Sequence, residues 1–141
     1  MDQTIRNKLR EIFLQARSLL ENAIREELQG RFGIYLAGKG NAITIENESR
    51  MGHLDQEELQ VRKALLDHLK LLGADGQTAA AALGQFIRET AFTWLNRFVA
   101  FKMLEARGLI RESVSRLVDS NGFKMWLAEP VSYTHLTLPT N

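Results

Sequence analysis

Apolar residues recur at spacings of three and four along the first thirty positions. Ile5, Leu9, Ile12, Phe13, Ala16, Leu19, Leu20, Ala23, Ile24 and Leu28 form one stripe, and Arg and Glu fill the opposite face. That period is the mark of an amphipathic helix, here expected over residues 2–29 with Gly30 at its end. The pattern then breaks. Gly33-Ile34-Tyr35-Leu36-Ala37 and Ala42-Ile43-Thr44-Ile45 flank Gly38-Lys39-Gly40-Asn41, which reads as a short β-hairpin within residues 32–46 closed by a Gly-rich turn. Asp55-Gln56-Glu57-Glu58 has the form of a capping box. From there helical spacing runs through Leu59, Ala64, Leu65, Leu66, Leu69 and Leu72, giving a second helix over 55–72 that Gly73 stops.

A third helix is expected over 78–107. Thr78 can cap it, four alanines from Ala79 to Ala82 have high helix propensity, and Gly108 is placed to end it. Between Phe86 and Leu104 its apolar residues point in nearly every direction: Phe86, Ile87, Ala91, Phe92, Trp94, Leu95, Phe98, Val99, Phe101, Met103 and Leu104. A helix apolar all round is normally buried on several sides. The expectation is therefore a central third helix with the first packed on it. Beyond it, Asp119-Ser120-Asn121-Gly122 signals a turn and Phe123 to Leu127 is a short apolar run. The fold class implied is mainly α, with three long helices and a small hairpin insertion.

The last residues break with everything before them. The run from Val131 to Thr140 has no charge and no helical period, and it follows Pro130 abruptly. It is similar to a conceptual translation of a sequencing-library adapter. Residues 1–130 are thus taken as the helical region and 131–141 as a non-native tail, with the native protein expected to continue past Pro130 as a larger multidomain chain. His135 and Pro139 carry no functional argument on this reading.

Composition narrows the chemistry. The 141 residues are 45% apolar and 25% charged, as in a folded globular domain. Eighteen basic residues against seventeen acidic ones leave a charge of +1, which gives no global reason to expect nucleic acid or a membrane surface. With no cysteine there is no disulfide, no thiolate nucleophile and no Cys-based zinc site. The N-terminus lacks the apolar core of a signal peptide, and no stretch approaches the roughly 18 apolar residues of a membrane span, so a cytoplasmic protein is expected.

Several motifs resolve into ordinary structure on inspection. Gly33 to Gly38-Lys39 has the spacing of a phosphate-binding loop, but Gly40 stands where Ser or Thr would hold magnesium, and no helix opens at Lys39. His53 and His68 lack a second ligand at helical spacing. Asp55, Glu57, Glu58 and Asp67 offer carboxylates for acid–base work, yet they sit on the wet face of a capped helix. In the first helix Arg6, Lys8, Arg10, Arg17 and Arg25 interleave with Glu11, Glu21, Glu26 and Glu27, a mixed surface rather than a phosphate track. Glu89, Thr93 and Asn96 share one face of the apolar third helix, where a hydrogen-bonded network is the expectation. Arg97, Lys102 and Glu105 read as surface charges, with Lys102 and Glu105 one turn apart.

One run carries a family likeness. Thr93-Trp94-Leu95-Asn96-Arg97-Phe98-Val99-Ala100-Phe101-Lys102-Met103-Leu104-Glu105-Ala106-Arg107-Gly108-Leu109-Ile110 resembles a segment of large bacterial adenine-specific DNA methyltransferases. These include the methyltransferases of bacteriophage-exclusion (BREX) defence systems and the related single-chain restriction-modification enzymes. The opening Met1-Asp2-Gln3-Thr4-Ile5-Arg6-Asn7-Lys8-Leu9-Arg10 is similar to the start of such proteins. The resemblance implies a helical region N-terminal to a catalytic domain that uses S-adenosylmethionine and an Asn-Pro-Pro-aromatic motif around a flipped adenine. The implied partners are that catalytic domain, DNA and other defence-system proteins. The two prolines here, Pro130 and Pro139, are not adjacent, so the catalytic motif lies outside this sequence. Thr93, Trp94, Asn96, Arg97 and Glu105 carry over as signature positions with a structural role. Two other readings compete: a free-standing helical interaction module, and a small DNA-contacting module with a helix-turn-helix at residues 73–77.

Overall fold

The computed structural model describes residues 2–38, 40–116 and 119. The tail 131–141, the run 123–127 and most of the turn at 119–122 lie outside the described residues. Among the described residues the chain forms helices α1 (Gln3–Gly30), α2 (Gln56–Gly73) and α3 (Ala79–Ala106), strands β1 (Ile34–Leu36) and β2 (Ile43–Ile45), and one 3-10 turn at Glu48–Arg50. All three helices and the hairpin stand where the apolar periodicity puts them. No described helix is long and apolar enough to cross a membrane.

Local chemistry accounts for the element ends. The Asp2 carboxylate accepts from the Thr4 amide at the start of α1. At α2 the capping box is complete: the Glu58 amide donates to Asp55 Oδ1 at 2.8 Å, and the Asp55 amide donates to Glu58 Oε2 at 2.9 Å. The Thr78 hydroxyl accepts from the Ala81 amide at the start of α3. α3 ends in a Schellman motif, with the Leu109 amide on the Leu104 carbonyl (3.0 Å) and the Gly108 amide on the Glu105 carbonyl (2.9 Å). Gly108 takes the left-handed φ of +69° that this motif needs.

The hairpin pairs Ile34 with Ile45, Tyr35 with Thr44 and Leu36 with Ile43, antiparallel. A two-stranded ribbon is marginal alone. This one is held because Ile34 is only 1% exposed within the core.

The described residues form two units that divide after Leu95, each described by itself. In the first, Leu28, Phe32, Ile34, Met51, Leu54, Leu69, Leu83 and Ile87 make one apolar cluster. The last turn of α1, the hairpin, the 47–54 connection, α2 and the first turns of α3 all contribute to it.

This arrangement corrects two expectations about packing. α1 does not lie along α3: its one buried residue is Leu28, and its tertiary contacts are with β1. A 28-residue helix is about 42 Å long, so only its C-terminal turns, through Ile24 and Leu28, reach a core built from short neighbours. Nor is α3 buried all round. In the first unit its buried residues are Ala82, Leu83, Ile87 and Ala91, on one side of its first half, while Phe92 is 61% exposed. In the second unit Phe98, Phe101 and Met103 are exposed.

Candidate functional site

Two clusters gather polar side chains around a buried centre, one in each unit. In the first the centre is Arg62, whose burial the apolar pattern of α2 does not announce. It falls on the stripe Leu59, Arg62, Leu66 and Leu69, and a cation at a core-facing position is the signal that would have found it. Arg62 is 6% exposed. Its Nε donates to the Phe32 carbonyl at 2.9 Å and its Nη2 to the Glu46 carbonyl at 2.5 Å. The guanidinium thus clips the two chain segments that enter and leave the hairpin.

The second of those segments is fastened again. The Glu46 amide donates to the Gly33 carbonyl at 2.8 Å. The Glu46 carboxylate accepts from the Tyr35 hydroxyl at 2.7 Å and from Arg50 at 3.1 Å. The bond to Glu46 pushes the Tyr35 phenol above its ordinary pKa, and burial adds to it. Gly33 closes the same junction: its φ is +63°, and a Cβ there would lie 2.7 Å from Glu46 Cβ. Beside Arg62 a depression of about 350 Å³ is lined by Glu48, Gln56, Leu59, Gln60, Lys63 and Leu66.

Of the four carboxylates considered for acid–base work, Asp55, Glu58 and Asp67 have structural partners. Asp55 and Glu58 cap α2, and Glu58 also accepts from Arg31 Nη2 at 2.5 Å. Arg31 bridges to Glu27 as well, and these two carboxylates push the guanidinium's pKa up, Glu27 first. Asp67 lies 3.8 Å from Lys70 across an exposed face. His53 Nε2 donates to the Arg31 carbonyl at 2.8 Å, which requires the proton on that nitrogen because a carbonyl only accepts. His68 packs edge-on against Phe86, with ring centroids 5.8 Å apart. Gly38 and Gly40 stand in a turn between antiparallel strands, not at a helix N-terminus.

The expected network of Glu89, Thr93 and Asn96 does not form. All three are exposed. Glu89 accepts from Gln85 at 2.8 Å, and the Thr93 hydroxyl donates to the Glu89 carbonyl of its own helix at 2.9 Å. Exposed polar groups have water as a partner, so nothing forces them together.

The second centre is Glu105, the last in the chain of the signature positions named from the sequence. Its side chain is 7% exposed. Oε1 accepts from the amides of Ser113, Val114 and Ser115 and from the Ser113 hydroxyl; Oε2 accepts from the Ser115 hydroxyl at 2.9 Å. Lys102 completes the group at 3.2 Å, the one-turn pair expected from sequence, and also donates to the Ser115 hydroxyl; the expected surface position holds for Lys102 but not for Glu105, which the chain after α3 covers. Burial by itself would raise the Glu105 carboxyl. The amide donors of Val114 and Ser113, followed by the Ser115 hydroxyl and amide, outweigh that and hold it well below the ordinary carboxylate range. A carboxylate so saturated with donors does not exchange protons near neutral pH. Glu105 anchors the chain after α3.

Of the other signature residues, Thr93 and Trp94 lie in the first unit and Asn96 and Arg97 in the second, all exposed, with Trp94 at 44%. Among the described residues no group of three metal-binding side chains converges. No protein-family model, no curated protein and no solved structure matches the chain.

Proposed function

We propose that this chain is the N-terminal helical region of an S-adenosylmethionine-dependent adenine-N6 DNA methyltransferase of a phage-defence or restriction system, and that it supports a catalytic domain supplied by further sequence. The resemblance of residues 93–110 to that family carries the reading. The side chains of this run favour it physically. Phe101 and Met103 are large, apolar and exposed at 47 and 50%, the condition of a helix whose cover comes from elsewhere. A free-standing interaction module would instead keep its most apolar helix covered. The role assigned to this region is mechanical: α3 presents an apolar surface to the catalytic domain, and Glu105 fixes the chain that leaves it. DNA and other defence-system proteins are partners of the whole enzyme.

The experiment is to sequence the source DNA through the Pro130 codon. A frame that continues for several hundred codons into a Gly-rich loop and an Asn-Pro-Pro-aromatic motif is the expected result. A frame that encodes Val131 to Asn141 and stops overturns the reading. Salt-dependent binding of duplex DNA by the chain alone would favour the DNA-contacting module instead.

A further inference from the structure

α1 carries an apolar seam that nothing in its own unit covers. Ile5, Leu9, Ile12, Ala16, Leu19 and Ala23 alternate spacings of four and three without a break, the a/d pattern of a coiled coil. None is buried; Ile5 is 51% exposed, Ile12 56% and Leu19 70%. A helix of this length draws most of its stability from burying its apolar face.

Two observations select the occupant. The first is charge. Residues 3–15 carry Arg6, Lys8 and Arg10 against Glu11, whereas residues 16–30 carry Glu21, Glu26 and Glu27 against Arg17 and Arg25. A second copy lying parallel would set like charge on like; an antiparallel copy sets the basic end on the acidic end and opposes the two helix dipoles. The second is volume. A two-fold axis at the level of Leu14 places Ile5 against Ala23, Leu9 against Leu19 and Ile12 against Ala16 of the other copy. Two of these layers match a large residue to a small one, and each joins an a to a d position as antiparallel packing requires. In-register parallel packing would stack Ala16 on Ala16 and Ala23 on Ala23, leaving gaps that cost stability.

We propose that α1 is a homodimerisation helix through which two copies of this chain pair as an antiparallel coiled coil over residues 5–23. The surface is isologous, so it closes at two copies. The proposal stands independently of the methyltransferase reading, since it uses only α1.

The test is sedimentation equilibrium of the full chain, whose monomer mass is 16.0 kDa. A dimer is expected. Leu19→Glu should raise its dissociation constant at least about a hundredfold, as loss of a central interface anchor does. The unfolding of the core should be unchanged, because Leu19 touches none of it. Lys8→Glu with Arg10→Glu should weaken the dimer and reduce its salt dependence. The chain has no cysteine, so orientation can be read by introducing them. Leu9→Cys mixed with Leu19→Cys should oxidise to the mixed disulfide, while Leu9→Cys alone should not cross-link. A monomeric chain, or a dimer indifferent to Leu19→Glu, overturns the proposal. A Leu9→Cys homodisulfide overturns its antiparallel sense.

Discussion

α1 up to Ala23 and the helices of the block from Leu28 to Ile87 carry the same three-and-four spacing of apolar residues, and they meet opposite fates. In the block the spaced residues of α2 and early α3 converge with the hairpin on one cluster, and Leu83 and Ile34 fall to 2% and 1% exposure. In α1 the same spacing leaves Ile5, Ile12 and Leu19 more than half exposed. Periodicity therefore makes a face but does not choose what covers it. In the block the cover is local in sequence, because short connections return the chain onto itself. α1 is too long for its neighbours, and its seam suits the second copy proposed above.

The largest effect expected from this contrast is Leu83→Ala. It removes a side chain from the centre of the cluster and should cost about 2–5 kcal/mol in urea unfolding. Leu14→Ala, at a site 56% exposed on the outer side of α1, should stay within about 0.5 kcal/mol. Equal effects would break the comparison. Arg62→Ala comes next at about 3 kcal/mol, because it strands the Phe32 and Glu46 carbonyls that the guanidinium satisfies. Arg62→Lys should recover little, since one ammonium does not reproduce the two-pronged geometry. Gly33→Ala should cost about 1–3 kcal/mol from the left-handed backbone and the approach to Glu46 and Met51.

The smallest effect is local to the second unit and concerns pH. The folded-state pKa of Glu105 is depressed, so its contribution is complete above the ordinary glutamate pKa of about 4.3 and is lost as pH falls below that toward the folded value. Between neutral pH and about 5, the amides of Ser113, Val114 and Ser115 should keep constant protection from hydrogen exchange. Glu105→Gln should remove most of that protection while leaving the core of the first unit unaltered.

Much of this architecture was legible without coordinates, and the reason is locality. The helix over 55–72 could be read because Asp55 and Glu58 satisfy each other's backbone three residues apart. The end of α3 could be read because Gly108 alone there accepts a left-handed backbone at no steric cost. His53 and His68 were legible as packing or surface residues because neither has a partner at helical spacing. The candidate site was less so. Lys102 with Glu105 is a one-turn pair and was visible, but the amides of 113–115 that saturate Glu105 arrive by a chain reversal that no spacing encodes. Arg62 lay in plain view on an apolar stripe, yet only the carbonyls of Phe32 and Glu46, 30 and 16 residues away, explain why a cation is tolerated there.

By itself, then, the sequence determined where helices and the hairpin begin and end, since caps, turns and periodicity act within a few residues. It also determined that α3 is apolar on nearly every side. Only the tertiary structure decided that α1 meets the core through its C-terminal turns, that Phe92, Phe101 and Met103 of α3 are exposed, and that Glu89, Thr93 and Asn96 face water. Those outcomes depend on which surfaces compete for a core of fixed size, and that competition is settled between residues far apart along the chain.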